Sequence, residues 1–420
     1  MLALLLVPLL QSCGGGDGNC SLYNQNRQLH EALLEGYLWY RDVPQSVNYA
    51  DFESPSELLD FLRKDPPDRF SFITDAEEYK ALYQAGEYAG FGFSFEITND
   101  DRLRIRFVYD GSPAWQAGMR RGDDILSING ESAADMIAAN DWDRVFGPSR
   151  TGVQRRFMIR KPDDSVIDAT LTKAVISIHT VLHSEVITLN GESIGYLVFS
   201  SFLDTSFDEL QSVFAGFKAA GVNRLILDLR YNGGGAVWVA DALASWIYGA
   251  NQGETFAELR YNDKNSDRNI EYVMVPLSQG VNLDELIVIT TGESCSASEM
   301  LINGVKPFVT VRQVGSSTCG KPVGMSPQEI CDKMLVAVNF STYNANGEGD
   351  YFDGLAVDCP AADDVDYPFG DLQEPMLKEA LYLAQNDRCS TGLRRGEDMP
   401  GAAAQSPIDA ASLRAVTGAW

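Results

Sequence analysis

The sequence predicts a multidomain α+β protein, with a helical N-terminal cap, a β-rich module and a larger α/β core. Three observations predict it. Apolar residues recur at helical spacing in the first part of the chain, alternate as in strands from about residue 88 to 174, and from about 175 fall into strand–helix units. With 420 residues, 45% hydrophobic and 22% charged, the chain is long enough for two or three domains with sizeable cores. The expected boundaries are 1–20 for a leader and tether, 21–87 for the cap, 88–174 for the β-rich module, 175–389 for the core and 390–420 for a disordered tail rich in Gly, Ala and Ser.

The balance of 33 basic to 59 acidic residues gives a net charge of -26 with no basic stripe. That argues against nucleic acid as a partner and against electrostatic docking to anionic lipid. The run from Met1 to Cys13 is apolar but too short to span a bilayer. It resembles a bacterial lipoprotein signal, with Leu10-Gln11-Ser12-Cys13 as the lipobox and Cys13 as the lipidated residue. Gln11 and the missing basic start depart from that pattern, and an ordinary secretory signal is the alternative. Either reading exports the protein, to a bacterial periplasm or cell envelope, with membrane contact only through the anchor. Six further cysteines suit an oxidising space and allow fifteen pairings, among which the sequence does not choose. No CxxC spacing occurs, which argues against zinc; no metal and no cofactor are expected.

Taken in order, residues 22–85 read as short helices. Leu29, Leu33, Tyr37 and Tyr40 form one apolar stripe, and Leu58, Leu59 and Leu62 a second, which Pro66-Pro67 ends. No chemistry is apparent in this cap, and His30 reads as a surface or packing residue.

The β-rich module carries Gly90-Phe91-Gly92-Phe93-Ser94-Phe95, then Gly111-Ser112-Pro113-Ala114-Trp115-Gln116-Ala117-Gly118 leading to Gly122-Asp123-Asp124-Ile125-Leu126-Ser127-Ile128-Asn129-Gly130. The two motifs, in that order, resemble a PDZ domain. The resemblance implies strand addition, with a peptide carboxylate held by backbone N–H groups around Gly90, Phe91, Gly92 and Phe93.

The core begins with a buried strand at 194–199. Ser206-Phe207-Asp208-Glu209 then reads as a capping box opening a helix with Phe207, Leu210, Val213, Phe214 and Phe217 on its apolar face. Gly221 stops that helix, and 224–230 is the next strand, expected to run parallel to the first. Tyr231-Asn232-Gly233-Gly234-Gly235-Ala236 follows at once, then a helix through Trp238 and Leu243. Consecutive glycines let backbone N–H groups approach an anion, although the phosphate-loop pattern GxxxxGK[ST] is absent. A third strand, Leu286-Ile287-Val288-Ile289, breaks into Glu293-Ser294-Cys295-Ser296-Ala297-Ser298-Glu299-Met300, which restarts as a helix. That places serines at a helix N-terminus, where unpaired N–H groups point outward, as N-caps or as a nucleophile. A fourth strand at 309–315 leads to Cys319-Gly320-Lys321-Pro322.

A strand ending "DLR.N.GG", a "SxSASE" helix start, a lysine 25 residues after Ser296 and a preceding PDZ motif together resemble the C-terminal processing peptidases, also called tail-specific proteases. The resemblance covers about residues 30–385, including Asp353-Gly354-Leu355-Ala356-Val357-Asp358. It implies a ClpP/crotonase-like ββα serine peptidase core, with Ser296 as nucleophile, Lys321 as general base, and the N–H groups of Ala297 and of Gly235 or Gly234 as oxyanion donors. The chemistry agrees. The three histidines, His30, His179 and His183, lie outside the glycine- and serine-rich loops, so the base is not expected to be histidine. A lysine serves only when neutral, which requires its pKa to fall from about 10.4 to near 7, about 4–5 kcal/mol of desolvation and charge effects. Lys321 is therefore expected to be buried beside Ser296.

Many members of that family carry a glutamine four positions after the lysine, where this chain has Met325. Gln328 or Gln313 is a possible substitute. Cys295 and Cys319 flank the two catalytic positions and read as a structural staple. The leading expectation is an exported serine endopeptidase acting on protein or peptide substrates, whose PDZ domain recognises or gates on their C-terminal segments. Two alternatives remain: a catalytically silent lipoprotein that uses the PDZ domain to bind peptides, and a hydrolase of small esters or amides. Oligomeric state is not readable.

Overall fold

The computed structural model describes residues 20–390 apart from 249–252 and 284. Cys13 and the tail from 391 onward lie outside the described residues. Among the described residues no helix is long and apolar enough to cross a membrane.

The core is a six-stranded sheet in the order Val181–Leu189, Glu192–Phe199, Arg224–Asp228, Glu285–Thr290, Thr310–Gly315 and Cys359–Pro360. The first pair is antiparallel and every later pair parallel. Both faces are covered, so the central strands are apolar on both sides. Leu225, Leu227, Leu286 and Val288 pack with the helices Ser206–Ala219, Val237–Tyr248 and Ala297–Val305. Ile226, Ile287 and Ile289 face the helix Pro375–Asn386 on the other side. Alternate side chains along one strand serve opposite layers, as the period of two requires.

One local expectation changes. The first core helix is entered from Thr205, not Ser206. The Ser206 hydroxyl accepts from the Leu203 N–H and donates to the Ser201 carbonyl, and Glu209 accepts from the Val181 N–H at 2.8 Å, so no capping box forms. Partners ahead of the helix, Leu203 and Ser201 for Ser206 and Val181 for Glu209, displace the capping-box pairing.

The N-terminal cap opens with helix Leu22–Gly36, capped by Ser21, and continues with helix Pro55–Leu62, capped by Ser54 with proline in its first turn. It is not wholly helical. Phe72–Asp75 is a strand paired antiparallel with Lys333–Val336, which also pairs with Gln328–Ile330. The apolar stripes Leu29, Leu33, Tyr37 and Leu58, Leu59, Leu62 close over Val323, Leu335 and Val338. His30 is buried between Tyr49 and the Pro44 carbonyl, a packing residue. A disulfide, Cys20–Cys331, fixes the cap to the same region, and a second, Cys359–Cys389, fixes the end of the core.

The β-rich module folds as a sheet in the order Phe93–Ile97, Leu103–Val108, Asp124–Ile128, Gln154–Arg160, Val166–Thr172. Its core is aromatic: the rings of Phe91, Phe93 and Phe95 meet Phe146 and Phe157. The ribbon Glu87–Gly90 with Ala174–Ser177 joins it to the rest.

Candidate active site

Four chain segments converge where the parallel strands end. Strand Glu285–Thr290 stops, the chain turns, and helix Ala297–Val305 begins at Ser296. Ser294 and Ser298 are fully buried and committed: the Ser294 hydroxyl donates to the Leu229 carbonyl at 2.8 Å and the Ser298 hydroxyl to the Asn232 carbonyl at 2.9 Å. Ser296 stays partly exposed, with φ 56° and ψ −113°. A residue with a Cβ holds that left-handed conformation only where its surroundings impose it, and such residues gather at functional sites.

The surroundings are the glycine loop and a buried carboxylate. Asn232 spans the loop: its Nδ2 donates to the Phe199 carbonyl, its Oδ1 accepts from the Gly234 N–H at 2.9 Å, and its carbonyl accepts from the Cys295 N–H at 3.0 Å. Gly234 packs so closely on the serine turn that a Cβ there would lie 2.7 Å from Ser296 Cβ and 2.9 Å from the Ala297 nitrogen. Gly235 forms a parallel bridge with Phe202. The bonds of that bridge run from Phe202 N–H to the Gly234 carbonyl and from Ala236 N–H to the Phe202 carbonyl. In a parallel bridge the middle residue turns its own N–H away from its partner. Gly235, unlike Gly234, therefore keeps its N–H clear of Phe202, and it lines the same cavity as Ser296, Ala297 and Lys321.

Glu299 joins the Ser296 turn and the lysine loop. Its carboxylate accepts from the N–H groups of Ser296 at 3.0 Å, Gly320 at 2.7 Å and Lys321 at 2.8 Å, and from the Thr318 hydroxyl at 2.6 Å. Burial pushes its carboxyl above the usual range, and these donors pull it back only in part. The disulfide Cys295–Cys319 links the same two segments covalently, with the Cα atoms 5.2 Å apart.

Burial lowers the pKa of Lys321 to about 8, against the pull of the Asp68 and Glu299 carboxylates. Its amine lies 3.7 Å from the Met325 sulfur and 5.5 Å from the centre of the Phe70 ring. Of the three side chains considered for orienting the lysine, only Met325 touches it. Gln313 is buried beneath the Leu355 carbonyl, and Gln328 is exposed on its edge strand. The cavity shared by Ser296 and Lys321 measures about 720 Å³, and Phe72, Met334, Val336 and Phe340 give it an apolar wall. Such a space takes a peptide side chain beside a hydroxyl, an amine and two backbone N–H groups, the components of acyl transfer.

The β-rich module reaches this site. Arg106 donates twice to Glu293, at 2.7 and 2.6 Å, three residues before Ser296. Arg121 bonds Tyr231 and Asp363, and Arg104 bonds Asp366. Beneath them Arg230 is buried among Asp228, Asp363 and Glu374. Burial alone would raise the Asp363 carboxyl, but Arg230 and Arg121 hold it well below the usual range. In the module itself Phe91 and Phe93 are wholly buried, Gly90 pairs with Ala174, and Gly92, at φ +90°, sits against Ser112.

Sequence reasoning missed Glu299, Asn232, Glu293, Arg106 and the cap residues at 68–70. Glu299 looked like an ordinary first-turn acid. The other partnerships bridge long stretches of chain, 63 residues between Asn232 and Cys295, 187 between Arg106 and Glu293 and 250 between Arg69 and Cys319, and carry no local signal.

Residues 193–360 match the description Peptidase family S41, residues 24–72 the Peptidase S41 N-terminal domain, and residues 104–142 a PDZ domain. The chain is 26% identical over 285 residues to a carboxyl-terminal-processing protease of Synechocystis, a match taking in 65% of this chain and 63% of that protein. It is 24% identical over 341 residues to the carboxy-terminal processing protease CtpA of Bacillus subtilis, covering 80% and 68%. Among solved structures, a Bacteroides fragilis protein described as an S41 protease superposes with a TM-score of 0.70 and 26% identity over 85% of this chain and 97% of that one. A photosystem II D1 C-terminal processing protease shares the fold, with a TM-score of 0.50 and 18% identity over 80% and 92%.

Proposed function

This chain belongs to peptidase family S41, with that family's N-terminal domain and a PDZ domain ahead of its peptidase core, and we propose that it is a serine endopeptidase using a Ser296/Lys321 dyad. The observation that carries the proposal is the single cavity lined both by the partly exposed Ser296 and by a lysine whose pKa burial lowers to about 8. Neutral Lys321 takes the proton of Ser296 as its Oγ attacks the scissile carbonyl. The developing oxyanion is held by the N–H groups of Gly235 and Ala297, because Gly234 already donates to Asn232. The ammonium form of Lys321 then protonates the leaving amine, and water hydrolyses the acyl-enzyme.

Substrates are proteins or peptides presenting apolar side chains to the cavity. The PDZ domain adds a substrate C-terminus to the strand Phe93–Ile97, which is the end strand of its sheet. Its carboxylate lies on the N–H groups of the loop at Gly90, Phe91, Gly92 and Phe93. Export through the leader, with Cys13 as the lipidated residue, is part of the same reading, and three disulfides are in keeping with an oxidising compartment.

The test incubates the full chain, Ser296→Ala and Lys321→Ala with unfolded proteins ending in apolar residues. Cleavage by the parent alone is expected. Equal cleavage by all three, or by none, would overturn the peptidase reading, and the second outcome with retained peptide binding would identify a silent peptide-binding module.

A further inference from the structure

The cap contributes a short segment, residues 68–71, to the surroundings of Lys321. Arg69 donates to the Cys319 carbonyl at 2.5 Å, two residues before the lysine. The Ser71 hydroxyl accepts from the Val338 N–H at 3.0 Å, which fixes the segment to the core strand Val338–Tyr343. Between these anchors the Phe70 ring, 1% exposed, faces the amine of Lys321. Asp68 is wholly buried and accepts from Tyr37 Oη and Ser71 Oγ at 2.6 Å each and from the N–H groups of Phe70 and Ser71 at 3.0 and 2.9 Å. Four donors thus hold one carboxylate and aim its segment at the base.

We propose that Phe70 and Asp68 of the N-terminal domain are positioning residues for the catalytic base, Phe70 closing the amine of Lys321 off from water and Asp68 placing a negative charge beside it. The inference rests on Lys321 acting as the base. The two residues pull in opposite senses. Removing water disfavours the ammonium form, an effect that reaches 3–5 pKa units for fully buried groups, whereas a nearby carboxylate favours it. The Phe70 ring also attracts an ammonium group by about 0.5–1 kcal/mol, less than one pKa unit, so its net effect is towards the neutral amine. The charged groups around the lysine are Asp68 and Arg69 from the cap and Glu299 from the helix Ala297–Val305. Of the two carboxylates, only Asp68 belongs to the cap.

The experiment measures how fast a serine-directed acylating probe modifies Ser296 across pH in the full chain, Phe70→Ala, Phe70→Leu and Asp68→Asn, with Ser296→Ala and Lys321→Met as controls. Phe70→Ala should move the midpoint upward by about one pH unit, making acylation about tenfold slower at neutral pH, with full recovery in alkali. Phe70→Leu, which keeps an apolar cover, should stay near the parent. Asp68→Asn should move the midpoint downward by about half a unit or more. Midpoints that do not move, or that move together in one direction, overturn the inference even if amplitudes fall. If Phe70→Ala does not fold, the downward shift in Asp68→Asn and the parental midpoint of Phe70→Leu decide it. Failure of the underlying reading is separate: the parent would not be acylated, or the controls would be.

Discussion

The amine of Lys321 stands 3.7 Å from the thioether of Met325, at the position where related peptidases were expected to carry a glutamine. A thioether is a weak acceptor, so this contact orients the amine by packing more than by hydrogen bonding. Met325→Leu should therefore change kcat/KM by less than about tenfold. Met325→Gln should move the acid limb of the rate profile upward, because an amide oxygen stabilises the ammonium form. A tenfold or larger loss in the leucine variant would show that the sulfur itself is needed.

Cleavage should rise with pH, with its midpoint near 8, the value to which burial brings Lys321. The stability effect has a definite sign. Lys321 is deprotonated at lower pH in the folded chain than in the unfolded one, so between about 8 and about 10.4 the unfolded chain binds more protons and stability rises with pH. Below that window the penalty is constant. Lys321→Met should therefore be inactive yet melt higher than the parent at neutral pH, as calorimetry can show.

Alanine at either loop glycine should damage the site by different routes. At Gly234 the new Cβ would press on Ser296 Cβ at 2.7 Å, and at Gly235 on the Phe202 carbonyl oxygen at 2.1 Å. Both residues also have positive φ. Each variant should lose about 1–3 kcal/mol of stability in denaturant titrations. Each should lose about a hundredfold or more in kcat, because nucleophile and oxyanion donors shift relative to one another.

Removing the Glu299 carboxylate strands four donors at once. Glu299→Ala should cost about 3 kcal/mol or more and abolish cleavage, since unpaired buried donors cost about 1–3 kcal/mol each before relaxation. Glu299→Gln retains an acceptor oxygen and should remain folded with reduced activity. Thermal melts of the two variants beside their rates check this.

Arg106 and Glu293 join the PDZ domain to the turn before Ser296 through two short bonds in a largely buried setting. A double-mutant cycle with Arg106→Met and Glu293→Gln should give a coupling of about 1–3 kcal/mol. Additive effects would show that the pair does not couple the two domains.

Much of the fold was legible because its signals are local. Short β-branched runs such as Leu286-Ile287-Val288-Ile289, bounded by turn residues, read as strands buried on both faces, and breaks rich in glycine or serine after two of them mark where the parallel strands end. The capping box at Ser206 and the all-helical cap were misread for one reason. Local patterns compete with distant partners that they do not reveal: Glu209 accepts from the Val181 N–H, 28 residues earlier, and Phe72–Asp75 finds Lys333–Val336 more than 250 residues away.

The chain's order of residues thus determined which elements form, which motifs stand at the ends of the strands, and that Ser296 and Lys321 are the candidate pair. The tertiary structure decided what surrounds them. It committed Ser294 and Ser298 to the backbone, took the Gly234 N–H for Asn232, set Met325 against the amine, and brought Asp68, Phe70 and Arg106 to the site from separate domains. Desolvation and hydrogen-bond partnership depend on what packs around a group in space, and neither is written in the residues beside it in the chain.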